Sequence, residues 1–318
     1  MLDSTARQAV VADDELDELI DGLTQDEKTI SPKYFYDEAG SQLFDEITRL
    51  PEYYPTQTEL GIMQDNIAEI AELVGSQASL IEFGSGSSMK THVLLQGLRD
   101  LAVYVPVDIS EDHLVASAKA LHDDYPDLDI IPLVADFTKP FDLPTPKVMP
   151  LRNIVYFPGS TIGNFTEEDA RSLLEVMYAE AGEGGALLIG VDLQKDPAIL
   201  ERAYNDSAGV TAAFNRNMLR HLNREFGTDF DVEDFSHEAI YNRDAGRIEL
   251  RLVAGSEQQV HIGDAEIAIE EGEGILTEYS HKYTLGGFSA MAASVGFRVE
   301  RVWTDEDQLF SVQYLVRD

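Results

Sequence analysis

The chain has 318 residues and no cysteine, which excludes disulfides, thiolate metal sites and cysteine nucleophiles. Positive charge is scarce: 23 Lys and Arg residues face 59 Asp and Glu residues, and the formal net charge is −36. A field of that sign repels a phosphate backbone, so nucleic acid is not expected as a partner. The sequence also lacks a basic, apolar leader and any apolar run near the roughly 18 residues that span a membrane. We therefore expect a cytoplasmic protein without a membrane partner.

The acidic residues are scattered along the whole chain, so neither a charged tail nor a single binding patch explains the imbalance. Adaptation to a high-salt cytoplasm would explain it, because concentrated salt screens self-repulsion. A merely acidic protein of an ordinary cytoplasm is the alternative. The hydrophobic content of 44% suits one large domain or two smaller ones, and the sequence is compatible with a monomer.

The most distinctive motif is an apolar strand at residues 80–83 that leads into Gly84-Ser85-Gly86 and a helix start. Two spaced glycines let the backbone turn sharply and approach a ligand closely. A dinucleotide fingerprint needs a third glycine where this chain has Met89, so NAD is not expected. An acidic residue followed by two spaced glycines, as in Glu82 to Gly86, resembles the first motif of S-adenosylmethionine-dependent methyltransferases. An ordinary strand-to-helix turn is the alternative.

Around this motif, strands and helices alternate, after helical segments expected over 34–50 and up to about Gly75. Strands are expected near 80–83, 102–107, 129–134, 152–157 and 186–191, and helices near 88–99, 111–124 and 167–181. This alternation predicts a parallel sheet with helices on both faces.

The pattern changes after Asp192. Two helices are expected within 197–226, and alternation typical of antiparallel strands follows at 235–242, 247–253, 259–262, 266–269 and 275–283. A helix at 286–295 and strands at 298–304 and 309–316 then supply the closing strand pair that a seven-stranded methyltransferase sheet requires. The predicted organisation is a core with a helical N-terminal region at 1–196, an inserted domain at 197–283 and a return to the core at 284–318.

Acidic residues follow the predicted strands where a cofactor is expected. Asp108 comes after the second strand, at about the distance from Gly84 expected for a carboxylate that binds ribose. Its alternative role is to cap the next helix, which Ser110 could do instead. Asp136 and Phe137 follow the third strand, where a carboxylate can accept the adenine amino group and an aromatic ring can cover the base. An acidic turn residue is the alternative for Asp136.

The loop at 157–165 follows the fourth strand and contains two glycines, a proline and two hydroxyl side chains. This composition is typical of a rigid loop around a ligand, and Asn164 can both donate and accept hydrogen bonds. Capping of the next helix is the alternative role of Asn164.

No metal site is expected. His92, His113 and His122 lie on different predicted helices, and no His-x₃-His pair with a supporting carboxylate occurs. Methyl transfer from a sulfonium requires in-line approach and a deprotonated amine rather than a metal.

Over nearly its full length the chain closely resembles the histidine Nα-methyltransferases of ergothioneine biosynthesis. The matching blocks are 32–37, 50–56, 82–86, 159–164, 203–204, 209–217 and 276–280. The resemblance implies an α/β fold with a Rossmann-like, seven-stranded class I core and an inserted α+β substrate-binding domain. It also implies S-adenosyl-L-methionine as methyl donor, released as S-adenosylhomocysteine, and trimethylation of the α-amino group of L-histidine to hercynine.

The resemblance also assigns residues to the two ligands. With the glycine turn included, the cofactor residues are Gly84, Gly86, Lys90, Asp108, Asp136 and Phe137, Lys90 being a candidate partner of the donor's carboxylate. The substrate residues are Tyr53, Asn164, Tyr204, Leu250, Glu278, Tyr279 and Ser280. Tyr36 is expected to orient the α-amine and to relay its proton, since the ammonium must lose a proton before nitrogen attacks.

The pair Glu278 and Ser280 has a physical rationale. Two positions apart on a predicted strand, their side chains leave the same face while Tyr279 points the other way. A carboxylate and a hydroxyl that bond the two ring nitrogens would distinguish histidine from an apolar side chain. A solvated strand carboxylate is the alternative for Glu278. Asn164 and Tyr204 would supply neutral donors for the substrate carboxylate.

Two departures from the family pattern concern the substrate pocket. His281 follows Ser280, and Leu250 stands where relatives can present Met, a change that keeps the position apolar. Two rival functions are an N-methyltransferase for another aromatic amino acid such as tryptophan, for which Glu278 would be a poor pocket residue, and a non-catalytic protein that binds S-adenosylmethionine.

Overall fold

The computed structural model describes residues 15–85, 89–98 and 100–317. Contacts divide the chain into two compact units. Unit 1 contains the described residues up to Tyr53 together with Asp196–Ser280, and unit 2 contains Tyr54–Lys195 and the residues from His281 onward. The N-terminal region thus groups with the second half of the chain, where Thr29 bridges to Leu276, whereas the sequence assigned it to the core at 1–196.

Unit 2 contains a seven-stranded sheet, which confirms the expected fold class. Its strands are β1 (Ala78–Phe83), β2 (Leu101–Asp108), β3 (Leu133–Val134), β4 (Arg152–Phe157), β5 (Ala186–Asp192), β11 (Phe297–Thr304) and β12 (Phe310–Arg317). The order is β11-β12-β5-β4-β1-β2-β3, with β1 to β5 parallel and β12 antiparallel to both of its neighbours.

The helices of unit 2 cover the two faces of this sheet. They are α3 (Tyr54–Val74), α4 (Met89–Gly97), α5 (Glu111–Asp124), α6 (Glu167–Ala181) and α9 (Leu285–Ser294). Successive side chains of β4 show the two faces, because Ile154 packs in one core cluster with Leu94 and Val155 in another with Leu174. Every residue of β1 and β5 is buried, as expected of central strands that are covered on both sides.

The third strand is the main difference from the expected sheet. The sequence predicted a strand at 129–134, but only Leu133–Val134 forms one, and Ile130 makes an isolated bridge to Tyr104. The intervening Pro132 has no backbone N–H to donate to a ladder, so it interrupts the pairing.

Unit 1 combines helices with two small sheets. Helix α1 is described over residues 15–23, and the others are α2 (Glu38–Ile47), α7 (Pro197–Tyr204) and α8 (Val210–Glu225). The strands are β6 (Phe235–Asn242), β7 (Arg247–Ala254), β8 (Gln258–Ile262), β9 (Ala265–Ile269) and β10 (Gly274–His281). They form a three-stranded sheet in the order β10-β7-β6 and a separate β8-β9 hairpin.

The core of unit 1 contains residues from both of its chain segments. Leu19 and Leu23 of α1 share a buried cluster with Phe214 of α8 and Leu252 of β7. Residues of β7 alternate between buried and half-buried, which is typical of a strand with one face toward a core. Among the residues the structure describes, no helix is both long and apolar enough to cross a membrane.

Candidate functional site

The glycine turn after β1 lies against Phe137. Gly84 has φ +72°, a left-handed conformation that favours glycine, and its N–H donates to the carbonyl of Val107 at 2.9 Å. A Cβ on Gly84 would lie 3.7 Å from the Phe137 ring, whose centroid is 5.6 Å from that of Phe83. Two predicted cofactor residues are thus neighbours, whereas Gly86 lies outside the described residues.

The two predicted cofactor carboxylates accept hydrogen bonds from residues of the loops that contain them. Asp108 Oδ1 accepts a hydrogen bond from the N–H of Ser110 at 2.9 Å, while the Ser110 side chain makes no capping bond among the described residues. Asp136 accepts from the N–H and the hydroxyl of Thr138 and pairs with Lys139 at 2.8 Å. Burial alone would raise the pKa of Asp136, but Lys139 and Thr138 hold it below its usual value. Asp108 ends β2 and Asp136 follows its neighbour β3, so both lie at the carboxyl ends of adjacent strands.

Lys90, predicted to meet the donor's carboxylate, already pairs with a carboxylate of the protein. Its Nζ lies 2.5 Å from Oε2 of Glu59, a buried residue of α3. The same oxygen accepts from the N–H of Gly159 at 2.9 Å. Sequence reasoning missed Glu59, because α3 precedes the strand-helix alternation that carries the cofactor motif.

Glu82 of the glycine motif is buried beneath the turn. Its carboxylate accepts hydrogen bonds from the Tyr104 hydroxyl at 2.6 Å and from the Thr91 hydroxyl at 2.8 Å. Burial raises the pKa of Glu82 to about 7, although both hydroxyl donors and the nearby Lys90 act in the opposite direction. This acid therefore joins β1, β2 and α4 rather than pointing to solvent.

The loop after β4 has a constrained entry. Gly159 and Ser160 both have left-handed backbones, with φ of +80° and +55°, before a 3₁₀ turn over Thr161–Asn164. Thr166, not Asn164, caps α6, since its hydroxyl accepts from the N–H of Asp169 at 3.2 Å. The capping alternative for Asn164 is therefore wrong.

The far side of the same loop packs against His281. A Cβ on Gly163 would come 2.7 Å from the carbonyl oxygen of His281, so only glycine fits there. The His281 ring Nδ1 lies 3.0 Å from the carbonyl oxygen of Gly163. The departure from the family pattern at position 281 thus contacts the loop that carries Asn164.

A buried ion cluster also supports this loop. Asp192, at the end of β5, lies 2.7 Å from Lys282 Nζ, 2.6 Å from Lys195 Nζ and 2.8 Å from the Tyr54 hydroxyl. Burial alone would raise the pKa of Asp192, but the two lysines lower it, whereas burial lowers the pKa of Lys195 to about 8. The N–H of Asp192 donates to the Ser160 hydroxyl at 2.9 Å, which helps to hold the left-handed backbone of Ser160.

In unit 1, two predicted substrate residues form a hydrogen-bonded group at the end of β10, and a third, Glu278, lies on the same strand. The hydroxyl oxygens of Tyr204 and Ser280 are 2.8 Å apart. Glu278 and Ser280 are buried while Tyr279 between them is half-buried, which confirms the alternation expected of a strand. Tyr279 does not join this group, because its ring lies on the other side of β10, 3.6 Å from the Arg247 guanidinium carbon.

His237 contacts the backbone carbonyl of Tyr204. This contact was not predicted from the sequence. The His237 ring places Nε2 2.9 Å from the Tyr204 carbonyl oxygen and Nδ1 2.9 Å from Nδ2 of Asn215. Asn215 Nδ2 also donates to the carbonyl of Arg251 at 3.1 Å, which fixes the amide orientation. Since Nδ1 must then accept, His237 is neutral with its proton on Nε2, and burial lowers its pKa.

Aromatic rings connect the remaining predicted residues of unit 1. Tyr53 packs edge to face with Tyr204 at a centroid distance of 5.9 Å, and with Phe44 at 6.4 Å. Tyr36 contacts Phe44 at 5.9 Å, also edge to face, and is 47% exposed. Tyr36, Tyr53 and Tyr204 are thereby linked through ring contacts.

The predicted substrate residue Leu250 is buried on β7. Its carbonyl accepts from the Thr277 hydroxyl at 3.1 Å.

The sheet of unit 2 has parallel strands and is closed by an antiparallel strand pair. A glycine turn follows its first strand, and carboxylates lie at the ends of the next two. These features define a class I S-adenosylmethionine-dependent methyltransferase. A family model described as "Histidine-specific methyltransferase, SAM-dependent" matches residues 15–317. The chain belongs to this family.

Curated relatives agree with this membership. The chain is 42% identical to "Histidine N-alpha-methyltransferase" of Mycolicibacterium smegmatis over 93% of its own length and 92% of the relative. It is also 42% identical to the protein of the same name from Mycobacterium tuberculosis, over 90% of this chain and 89% of that one. "Ergothioneine biosynthesis protein 1" of Neurospora crassa is 31% identical over 85% of this chain, which spans 31% of that longer protein.

Proposed function

We propose that this protein transfers three methyl groups in succession from S-adenosylmethionine to the α-nitrogen of L-histidine, giving hercynine. The observation that carries the proposal is the buried, hydrogen-bonded pair of Ser280 and Tyr204, with buried Glu278 on the same strand as Ser280, in a member of the histidine-specific methyltransferase family. Two relatives are named histidine N-alpha-methyltransferase, and a fungal relative is named for ergothioneine biosynthesis.

Recognition of the imidazole is assigned to β10. The Glu278 carboxylate accepts from one ring N–H, and the Ser280 hydroxyl bonds the other nitrogen. Both side chains are buried, and a hydrogen bond from a ring N–H to a buried carboxylate is charge-assisted and shielded from water. A ligand without a ring N–H cannot make this bond, so the arrangement favours histidine over phenylalanine-like side chains.

The amino-acid end is assigned to neutral groups. Asn164 and Tyr204 donate to the substrate carboxylate, while Tyr53 packs beside Tyr204. Tyr36 orients the α-amine and relays the proton that it must lose before each transfer. Its partly exposed phenol, within an aromatic cluster, also suits a product that carries a trimethylammonium group, through cation–π attraction.

The residues of unit 2 fit the methyl donor. The left-handed Gly84 leaves the space of a Cβ open beside the Phe137 ring, and two carboxylates follow the neighbouring strands. We assign Asp108 to the ribose, Asp136 and Phe137 to the adenine, Gly84 and Gly86 to close backbone approach, and Lys90 to the carboxylate. S-adenosylmethionine, when bound, supplies the methyl group on a sulfonium.

Mass spectrometry of small-molecule products tests the proposal. Purified protein is incubated with S-adenosylmethionine and histidine, tryptophan or tyrosine in separate reactions. Histidine should gain up to three methyl groups and the other two none. Methylation of tryptophan alone would favour the rival substrate, and tight S-adenosylmethionine binding without any methylated product would favour a non-catalytic binding protein.

Two further properties are proposed from the composition. The net charge of −36 is spread over the chain, which suits a high-salt environment. The absence of cysteine agrees with a reducing compartment, so we propose the cytoplasm as the location.

A further inference from the structure

Glu59 is a buried carboxylate that contacts two segments, α4 and the loop after β4. The proposed function assigns these segments to different ligands. Its side chain is only 1% exposed, and Oε2 contacts both Lys90 Nζ, at 2.5 Å, and the N–H of Gly159, at 2.9 Å. Lys90 belongs to the helix after the glycine turn, and Gly159 begins the loop that leads to Asn164. The N–H of Gly159 also lies 3.1 Å from the second oxygen, Oε1. The Glu59 carboxylate therefore joins the cofactor segment to the substrate loop within unit 2.

The surrounding backbone leaves Glu59 little room to move. A Cβ on Gly190 of β5 would come 2.1 Å from Glu59 Oε1, so the carboxylate occupies the space that a side chain would need. A Cβ on Gly159 would lie 3.1 Å from Lys90 Nζ, and its φ of +80° also favours glycine. Gly190 and Gly159, which have no side chain, thus leave the space that the ion pair occupies.

The ion pair with Glu59 affects how strongly Lys90 can attract the carboxylate of a ligand. A buried carboxylate needs a nearby positive charge, and Lys90, 12% exposed at its side chain, supplies it. An ammonium has three donors, so Lys90 can also bond the carboxylate of a cofactor. That second carboxylate would stand close to the charge of Glu59, and the repulsion between them lowers its affinity.

We propose that Glu59 is a positioning residue with two effects: it weakens the attraction of Lys90 for the carboxylate of S-adenosylmethionine and S-adenosylhomocysteine, and it fixes Gly159 at the start of the Asn164 loop. The inference rests on the proposed function for the identity of the cofactor and the role of Asn164. Three successive transfers require spent donor to leave and fresh donor to enter between them, so moderate binding of the carboxylate favours turnover.

Glu59→Gln tests the electrostatic effect. The amide oxygen can still accept from Lys90 and Gly159 at the position of Oε2. The substitution thus removes the charge and the longer, 3.1 Å contact of the Gly159 N–H with Oε1, and keeps the shorter bonds. Calorimetry should show S-adenosylhomocysteine binding about fivefold more tightly to the variant. Binding of 5′-methylthioadenosine, which lacks the carboxylate, should be unchanged.

Glu59→Ala tests the effect on the loop. Without the acceptor for Gly159, the KM for histidine should rise at least threefold, whereas Glu59→Gln should keep it near the wild-type value. Glu72→Gln, an exposed position on the same helix, is the matched control for both experiments. If Glu59→Ala fails to fold, the calorimetric comparison on Glu59→Gln still decides the electrostatic part.

Several outcomes would overturn the inference. An equal change in affinity for S-adenosylhomocysteine and 5′-methylthioadenosine in Glu59→Gln would mean that the charge does not act through the carboxylate. An unchanged KM for histidine in a folded Glu59→Ala variant would remove the role in the loop. A wild-type chain that binds no S-adenosylhomocysteine would overturn the proposed function as well, so the two failures are distinguishable.

Discussion

The hydroxyl oxygens of Tyr204 and Ser280 lie 2.8 Å apart and join the end of α7 to β10 within unit 1. Both side chains are buried, so their hydrogen bond is shielded from competing water. Each hydroxyl can donate and accept, which lets the pair reorient its protons when a ligand binds.

This pair should behave as one unit toward histidine. Tyr204→Phe and Ser280→Ala should each raise the Kd for histidine, and the double variant should lose less than the sum of the two losses by about 0.5–1.5 kcal/mol. Calorimetric titration of the wild type and three variants measures this coupling. Strict additivity would mean that the hydroxyls act independently.

Glu278→Gln should weaken histidine binding much more than cofactor binding. The amide keeps the shape of the side chain but loses the charge that strengthens a hydrogen bond to the imidazole N–H, worth about 1.5–3 kcal/mol or roughly 10- to 100-fold in Kd. Separate titrations with histidine and S-adenosylhomocysteine measure the two losses. Glu238→Gln, at an exposed position on β6, is the control. Equal losses for both ligands would show that Glu278 does not face the imidazole.

The buried acid Glu82 should make folding stability fall as pH rises. Burial raises its folded-state pKa from the ordinary 4.5 to about 7, so the folded state binds more protons than the unfolded state between these values. The contribution of Glu82 to the free energy of unfolding is complete below pH 4.5 and is lost progressively up to about pH 7. The total loss is on the order of 3 kcal/mol. Thermal melts of Glu82→Gln from pH 5 to 8 should show a gain over wild type that grows with pH. A constant difference would mean that Glu82 does not titrate there.

His237 should have the opposite effect on the acid side. Burial lowers its folded-state pKa below the ordinary 6.5, so its contribution is complete above pH 6.5 and is lost as pH falls toward the folded-state value. His237→Gln should flatten the decline of stability below pH 6.5. The same melting series measures it, with exposed His122→Gln as control. An unchanged acid-side slope would contradict the assignment of a neutral, half-buried ring.

Added KCl should raise the melting temperature at pH 7.5, because salt screens the repulsion among acidic groups that outnumber basic ones by 59 to 23. The effect should be smaller at pH 5.5, closer to the isoelectric point of about 4.3. Calorimetric scans from low to molar KCl at both pH values measure the slopes. A melting temperature that ignores salt at pH 7.5 would leave an ordinary acidic protein as the better description.

Features that depend on neighbouring residues were predictable from the sequence. The bounds of α5 and α6 agree with the expected 111–124 and 167–181, since a Ser or Thr followed by acidic residues marks where each helix begins. Of the two, only Thr166 makes the side-chain capping bond within the part of the chain that the structure describes. The alternation of Glu278, Tyr279 and Ser280 follows from the two-residue period of a strand. These are local rules, and the structure obeys them.

Features that join distant residues were not predictable. The bond from Gly159 to Glu59 spans 100 residues, and the bond between Tyr204 and Ser280 spans 76. Apolar periodicity shows that α1 must bury Leu19 and Leu23, but not which partner buries them, so the grouping of the N terminus with unit 1 could not be read from the chain. No short motif records such pairings.

The crowding of Gly190 against Glu59 has a consequence for related sequences. A Cβ at position 190 and a carboxylate at position 59 require the same space, since they would come within 2.1 Å of each other. The two positions should therefore vary together in evolution: a relative with alanine or serine at 190 should carry a shorter residue at 59. Where Glu59 is lost in this way, Lys90 would lose the carboxylate with which it forms its ion pair, and its own identity should drift as well. Aligned family members can show whether these three sites change as a group.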